Sequence, residues 1–323
     1  NGLQHTNIYR KKGSSIYMIF GTDLAIERRE ITNSGKNDGV TVKKRRVKSA
    51  SVTEIEITTD AGAEKLGKPV GTYVTVELPP FSSEFDDADS RMLAVRDEIK
   101  KLLPKNTSGV LVVGLGNSDI TPDALGPKTA KDIFSTRHIT KSLAEEVGLP
   151  SLRPVSSASP GVLGQTGIES AEMIRGIMNE TSPDAVITVD ALSARSIKRL
   201  GCTVQMTNTG IVPGSGVGNH RAEISRKTLG VPVIAIGVPT VVDAAALVYD
   251  ITGNENIPQP ERERADSIPT INIGISARTG LSKNLSEVNQ TLGDLTEEKI
   301  GVRARLVWTG LNSSQGNIGK TRI

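Results

Sequence analysis

Between Val110 and Gly237 short apolar runs alternate with stretches of helical period, and few folds accommodate that rhythm. Strands are expected over Val110–Leu115, Leu152–Val155, Ala185–Val189, Val204–Met206 and Val231–Gly237. Helices are expected over Lys128–Thr136, Gly167–Asn179, Ser193–Leu200, Arg221–Leu229 and Val242–Tyr249. Strands that alternate with helices imply βαβ units and a mainly parallel sheet. Composition points the same way. Hydrophobic residues make up 37% of the chain and aromatics only 3%, so the core has to be built from Val, Ile, Leu and Ala. Such a core suits strands covered by helices on both faces. The 323 residues allow one large α/β domain with appendages, or two modest domains.

The segments on either side of this rhythm read differently. Residues 1–36 show no sustained period and are expected to be mobile. From Gly39 to Leu78, Val40-Thr-Val, Val52-Thr-Glu-Ile-Glu-Ile-Thr and Tyr73-Val-Thr-Val-Glu-Leu alternate apolar with polar residues, the mark of half-exposed antiparallel strands. Lys43-Lys-Arg-Arg-Val-Lys48 lies inside this region. It reads as a solvated edge or hairpin tip, because edge lysines block unwanted strand pairing, with a patch for an anionic partner as the alternative. Asp87–Leu103 is expected to be an amphipathic helix. Past Thr252 the rhythm lapses: Gly253 to Asp266 reads as a linker, Leu292 to Trp308 as one more helix, and Asn312 to Ile323 as a frayed end.

Several function classes are disfavoured. A net charge of +3 from 39 basic and 36 acidic residues is too balanced to suggest direct nucleic-acid binding. The single cysteine, Cys202, rules out an internal disulfide framework and fits a reducing compartment. Three histidines (His5, His138, His220) are few for a histidine-rich metal site, and no metal or cofactor is expected. No segment approaches the roughly 18 apolar residues of a membrane span. Arg10-Lys-Lys before Ile16-Tyr-Met-Ile-Phe20 mimics the start of a signal peptide, but that apolar core falls short of the roughly 7–15 residues required. A cytoplasmic location is therefore expected. The chain opens on Asn1 rather than Met, so this is not expected to be the native start.

Two segments carry the chemistry. Val110-Leu-Val-Val-Gly-Leu-Gly-Asn-Ser-Asp-Ile-Thr-Pro-Asp-Ala-Leu-Gly-Pro127 and Asp184-Ala-Val-Ile-Thr-Val-Asp-Ala-Leu-Ser-Ala-Arg-Ser196 each run from an apolar strand into a turn, with an aspartate at or just past the strand's end. In an open parallel sheet the carboxyl ends of different strands converge on one crevice, where ligands bind. Asp123 and Asp190 are placed to meet there, and a carboxylate pair can activate water without a metal or a histidine. Taken singly, Asp123 is a turn residue after Pro122 and Asp190 an N-cap.

Other candidates are weaker. Gly114-Leu-Gly-Asn-Ser-Asp119 begins like a dinucleotide fingerprint, but Asp119 replaces its last glycine and the loop runs on to Pro122 instead of opening a helix. Gly319-Lys-Thr321 lacks the first glycine of a phosphate loop, where Ser314 stands. Pro213-Gly-Ser-Gly-Val-Gly-Asn219 reads equally as a structural turn or as a substrate-facing loop through Gly214, Ser215 and Gly216. Ser215 lacks the glycine two residues earlier that a nucleophile elbow needs. His138 and His220 read first as surface groups, Cys202 as a small core residue, and Asp243 as a helix cap or part of the site's outer shell.

A family resemblance sharpens this picture. Val113-Gly-Leu-Gly-Asn117 with Thr121-Pro-Asp-Ala-Leu-Gly-Pro127, Arg153-Pro-Val-Ser with Pro160-Gly-Val, Asp190-Ala-Leu-Ser-Ala-Arg195, Gly210-Ile-Val-Pro-Gly-Ser-Gly-Val-Gly-Asn219 and Gly237-Val-Pro-Thr-Val-Val-Asp243 resemble the germination proteases of spore-forming bacteria. The likeness runs from about Thr22 to Leu247, with only Leu292-Gly-Asp-Leu-Thr-Glu-Glu-Lys299 familiar beyond it.

The resemblance implies a fold similar to the hydrogenase maturation proteases. That is a three-layer α/β/α sandwich with a mainly parallel sheet (phosphorylase/hydrolase-like), here with an added N-terminal antiparallel β region. It implies a self-processing zymogen, a homotetramer, and an endopeptidase that begins the degradation of small acid-soluble spore proteins in the spore core. The family's two essential aspartates fall on Asp123 and Asp190, and Asn117 joins the possible substrate-binding or outer-shell residues. Gly21-Thr-Asp-Leu-Ala-Ile-Glu27 resembles the acidic–apolar–Ala site that the family cuts, which implies cleavage between Asp23 and Leu24. Residues 1–23 would then be a propeptide, 24–250 the catalytic domain (its part 24–80 β-rich), and 251–323 a flexible or divergent segment. Two rival readings remain: a metal-assisted hydrolase of the maturation-protease type, with the same carboxylates holding a divalent ion, and a non-catalytic binding scaffold.

Overall fold

The computed structural model describes residues 22–32, 38–47, 49–78, 90–146, 152–215 and 221–242. Eight strands form one sheet in the order β1-β2-β3-β7-β8-β6-β4-β5. They are β1 (Val40–Val47), β2 (Ala50–Ile57), β3 (Gly71–Glu77), β4 (Val110–Gly114), β5 (Val155–Ala158), β6 (Ala185–Ala194), β7 (Thr203–Thr207) and β8 (Val233–Val242). The helices are α1 (Ala25–Thr32), α2 (Asp60–Leu66), α3 (Ser90–Leu102), α4 (Leu125–Asp132), α5 (Lys141–Glu146), α6 (Leu163–Thr166), α7 (Ser170–Thr181) and α8 (Arg226–Leu229).

This is an α/β fold, but its sheet is mixed. Strands β8, β6, β4 and β5 run parallel, while β7, β3, β2 and β1 pair antiparallel. The N-terminal antiparallel region expected is present as β1–β3, but the expectation of a mainly parallel sheet is corrected, because these strands and β7 belong to the same sheet. Strand β7 pairs with β8 on one side and β3 on the other, so the N-terminal hairpins extend the parallel half. The parallel half reads as near-continuous apolar runs because both of its faces are covered. In β4, Val110 and Val112 join the core beneath α3 and α4, whereas Leu111 and Val113 join Ala171 and Ile174 of α7. Leu24, Ala25 and Ile26 pack with Leu66, Ile55 and Leu192 in a third cluster.

Other boundaries also moved. The span Ser193–Leu200, expected as a helix, continues β6 to Ala194 and then forms a single 3₁₀ turn at Ile197–Arg199. A short apolar run does not distinguish strand from helix, and here pairing with β8 as far as Val242, across an irregularity at Leu192/Ser193, decides for strand. The strand expected at Leu152–Val155 lies at Val155–Ala158, and the helix expected at Arg221–Leu229 shrinks to its last turn. Part of the expected mobile N-terminus is helix α1, and α2 between β2 and β3 was not anticipated. Thr59 caps α2 by accepting from Gly62 N at 3.1 Å, and Gly67 ends it in the left-handed conformation. The helices expected at Val242–Tyr249 and Leu292–Trp308 lie outside the described residues.

Strand β1 is an edge strand, as the basic run suggests, with Lys43, Lys44 and Arg46 exposed. Arg45 is half-buried and pairs with the buried Glu98 of α3, which Lys101 also contacts at 2.8 Å.

One contact fixes the parallel half against α4. A Cβ on Gly126 would lie 2.1 Å from Leu115 O and 2.5 Å from Val189 O, so only glycine lets this helix start sit on the sheet. Gly126→Ala should therefore lower stability by about 1–3 kcal/mol, because backbone rather than a flexible side chain must yield. Urea denaturation checks this against Gly164→Ala, where the added methyl meets nothing within 4 Å. Equal stability of the two variants would contradict the close-approach argument.

Candidate active site

The end of β4 sets the position of the site. Gly114 pairs with Val189, so Asp190 is the first residue of β6 beyond the reach of β4. It lies within β6 rather than in the turn expected for it, and is only 6% exposed. Its Oδ1 accepts a hydrogen bond from Ala191 N at 2.8 Å. Asp123 approaches from the other side, at the end of the 3₁₀ turn Thr121–Asp123 that leads into α4. Its Oδ2 accepts from Asn117 N at 2.7 Å. Gly116 makes this possible: its φ is +115°, and a Cβ there would stand 2.2 Å from Asp123 O and 2.9 Å from Asp123 Oδ1.

The two carboxyl groups affect each other. The pKa of Asp190 is pushed up to about 8, first by burial, then by the charge of Asp123 and also by that of Asp23, while the Ala191 N–H opposes the shift. Burial also raises Asp123, against the opposing effect of the Asn117 N–H. Desolvation and a like charge act in the same direction on a carboxyl group, so one member of such a pair keeps its proton near neutrality.

Asp23 brings a third acid to this crevice. Its Oδ2 accepts from Ser193 N at 2.9 Å and its Oδ1 from Ser215 Oγ at 2.9 Å. Gln205 of β7 brackets the following peptide, donating to Asp23 O at 2.9 Å and accepting from Ala25 N at 2.6 Å. Leu24 is fully buried, so this stretch of the N-terminal residues expected to be mobile is docked instead. Its anchor is Glu27, 2% exposed, which accepts from Arg195 N at 2.7 Å and Ser196 N at 3.1 Å and pairs with Arg199 Nε at 3.3 Å.

The structure therefore gathers Asp123, Asp190, Asn117, Asp23 and Ser215 of the residues singled out in sequence. Gly214 sits beside Ser215 in the left-handed region, at φ +74°. Gly216, Asp243, His5 and His220 lie outside the described residues. His138 is exposed, and Cys202, one residue before β7, is half-buried rather than a core residue. Gln205, Ser193, Glu27 and Gln165 escaped notice. Lone polar residues in strands and loops carry no pattern, and only their positions beside Asp23 or Asn117 reveal them. Among the described residues, no group of three or more His, Cys, Asp or Glu side chains is arranged as a metal donor set.

The family model described as germination protease matches residues 19–254. The chain belongs to the germination protease family. It is an endopeptidase of spore germination. The germination protease of Clostridium acetobutylicum is 46% identical over 240 residues, covering 71% of this chain and 72% of that protein. That of Caldanaerobacter subterraneus is 46% identical over 231 residues, covering 71% of each. That of Priestia megaterium is 43% identical over 242 residues, covering 71% of this chain and 65% of that protein. Among solved structures, the NiFe hydrogenase maturation protease HycI of Thermococcus kodakarensis aligns with 49% of this chain and 99% of its own at 16% identity and a TM-score of 0.30. No described helix of this germination protease is long and apolar enough to cross a membrane.

The raised pKa of Asp190 has a consequence for stability. Folded, Asp190 holds its proton up to about pH 8, whereas an exposed aspartate releases it near the ordinary value of 3.8. Between those limits the folded chain binds more protons than the unfolded one, so its stability falls as pH rises through that window. Asp190→Asn removes this titration. Its urea midpoint should decline less than the parent's between about pH 5 and pH 8. Parallel declines would contradict the raised pKa.

Proposed function

We propose that this germination protease cleaves small acid-soluble spore proteins with water activated between Asp123 and Asp190. The observation that carries this reading is the unequal treatment of two converging carboxyl groups. Both accept a backbone N–H, but Asp190, buried in a strand, is pushed up to about 8 by burial and by like charge, whereas half-buried Asp123, in a turn, is raised by burial alone. Ionised Asp123 draws a proton from water as it attacks the scissile carbonyl. Protonated Asp190 donates a hydrogen bond to the carbonyl oxygen as negative charge develops there. Paired titratable groups whose surroundings push their pKa values apart divide acid and base roles in this way. Ser215 Oγ donates to Asp23 Oδ1 at 2.9 Å, in a loop that lacks the glycine spacing of a nucleophile elbow.

The reading extends to the whole chain. Residues 1–23 act as a propeptide, 24–250 form the catalytic domain, and 251–323 lie outside it. The helices flanking the mixed sheet constitute the three-layer α/β/α arrangement. The protein works as a homotetramer in the spore core. Self-processing between Asp23 and Leu24 is supported by the place of Asp23, close enough to Asp190 to raise its pKa. Because Leu24 is buried, cleavage requires the segment to lift from its bed against Gln205 and Ser193.

Asp123→Asn and Asp190→Asn should each lower turnover of a small acid-soluble spore protein by roughly 100- to 10,000-fold, the span of general acid–base catalysis. Both substitutions are isosteric, so folding should persist, and circular dichroism confirms it. Near-normal turnover in either folded variant would defeat the pair.

N-terminal sequencing after activation should show a new chain beginning Leu24-Ala25-Ile26, absent in Asp123→Asn. A new end elsewhere, or the same end in that variant, would defeat self-processing.

A further inference from the structure

The loop that holds Asp123 is itself held from outside. Asn117 Oδ1 accepts from Asp119 N at 2.9 Å, which closes a tight turn over Gly116–Asp119. The same oxygen accepts from Gln165 Nε2 at 2.8 Å, and this amide nitrogen also reaches Asp119 Oδ2 at 3.2 Å. Gln165 lies on α6, in the connection from β5 to α7, so its side chain bridges the loops that follow two neighbouring parallel strands. Its own backbone is placed by Gln165 N donating to Val162 O at 2.9 Å, and Ser170 Oγ ties Gly161 O at 3.1 Å. Nothing about this bridge serves the hydrophobic core, because Gln165 and Asp119 are both exposed. What it does fix is the Asn117 peptide, whose N–H is the donor to Asp123 Oδ2.

We propose that Gln165 is a positioning residue for the aspartate pair, acting through Asn117 to aim the backbone N–H that holds Asp123. The inference rests on the reading of Asp123 as the ionised member. A carboxylate that accepts a well-aimed N–H is favoured in its charged form, and a slackened loop weakens that preference. Other acids stand nearby: Asp190 from β6, Asp119 in the same loop, and Asp23 from the segment before α1. Removing Gln165 neutralises none of them; it takes a donor from Asn117 Oδ1 and from Asp119 Oδ2, and of these two only Asn117 holds Asp123.

The test is Gln165→Leu, similar in size but without donors, assayed on a small acid-soluble spore protein across pH after removal of the N-terminal segment. The acid limb of kcat/KM should move up by about one pH unit, the scale of one charge-assisted hydrogen bond, with kcat near neutrality down roughly severalfold. The alkaline limb, KM and thermal midpoint should stay close to the parent's. An unmoved acid limb would overturn the proposal, whether activity is intact, KM alone rises, or activity and thermal midpoint fall together. Asp123→Asn separates the two levels of inference. If it keeps normal turnover, the aspartate pair itself fails; if it is inactive while the Gln165→Leu profile stays in place, only the role of Gln165 fails.

Discussion

The site depends on two backbones that touch. Gly114 closes β4, Gly126 sits in the first turn of α4, and a Cβ on Gly114 would lie only 1.9 Å from Gly126 O. That approach leaves room for Leu115 N to donate to Val189 O at 2.8 Å and brings the turn carrying Asp123 down onto the end of β6. Two carboxyl groups do not draw each other together. Packing has to impose the pairing, and here Leu125 and Ile133, buried around α4 in the core beneath the sheet, supply it.

Once imposed, the pairing is tolerated because one partner need not be charged. An isolated carboxylate in the position of Asp190 would carry a large desolvation penalty, and keeping the proton avoids it. Asp123 is treated differently: half-buried, it has the Asn117 N–H at 2.7 Å and the strained-looking but glycine-permitted turn at Gly116. The difference between the two residues is therefore structural before it is chemical. One lies within a strand paired to β8; the other lies at the end of a 3₁₀ turn, where the Asn117 N–H reaches its carboxylate.

How much of this could be read from sequence follows from the same physics. Strands β4, β6 and β8 are largely apolar runs and, like β7, were located to within a few residues, although β6 and β8 extend further than expected. Asp190 stood out because it breaks such a run, and Asp123 because it lies in the turn that follows one. The mixed sheet was not legible, since strand order depends on pairing between β3 and β7, which are far apart in sequence and carry no mark of their partner. Helix α1 was missed because its docking rests on a buried acid. Glu27 looks like a solvent-facing residue in Leu24-Ala-Ile-Glu27 until the Arg195 and Ser196 N–H groups and the Arg199 side chain close around it.

That buried acid also bears on how the docked segment relates to the crevice. Glu27 and its Arg199 partner, which further contacts Glu30 at 3.1 Å and Glu77 at 2.5 Å, lie on the C-terminal side of the Asp23–Leu24 peptide. The Asp23 carboxylate lies on the other side, held by Ser193 N and Ser215 Oγ. A break between these residues would leave α1 with its own anchors while releasing the like charge that raises Asp190. It would also free three donors, Ser193 N–H, Ser215 O–H and the Gln205 amide, at the edge of the same crevice. Donors left without partners in a half-buried site favour an incoming peptide that satisfies them. The proposed self-processing thus exchanges one occupant of these donors for another, without asking the fold around the aspartate pair to rearrange.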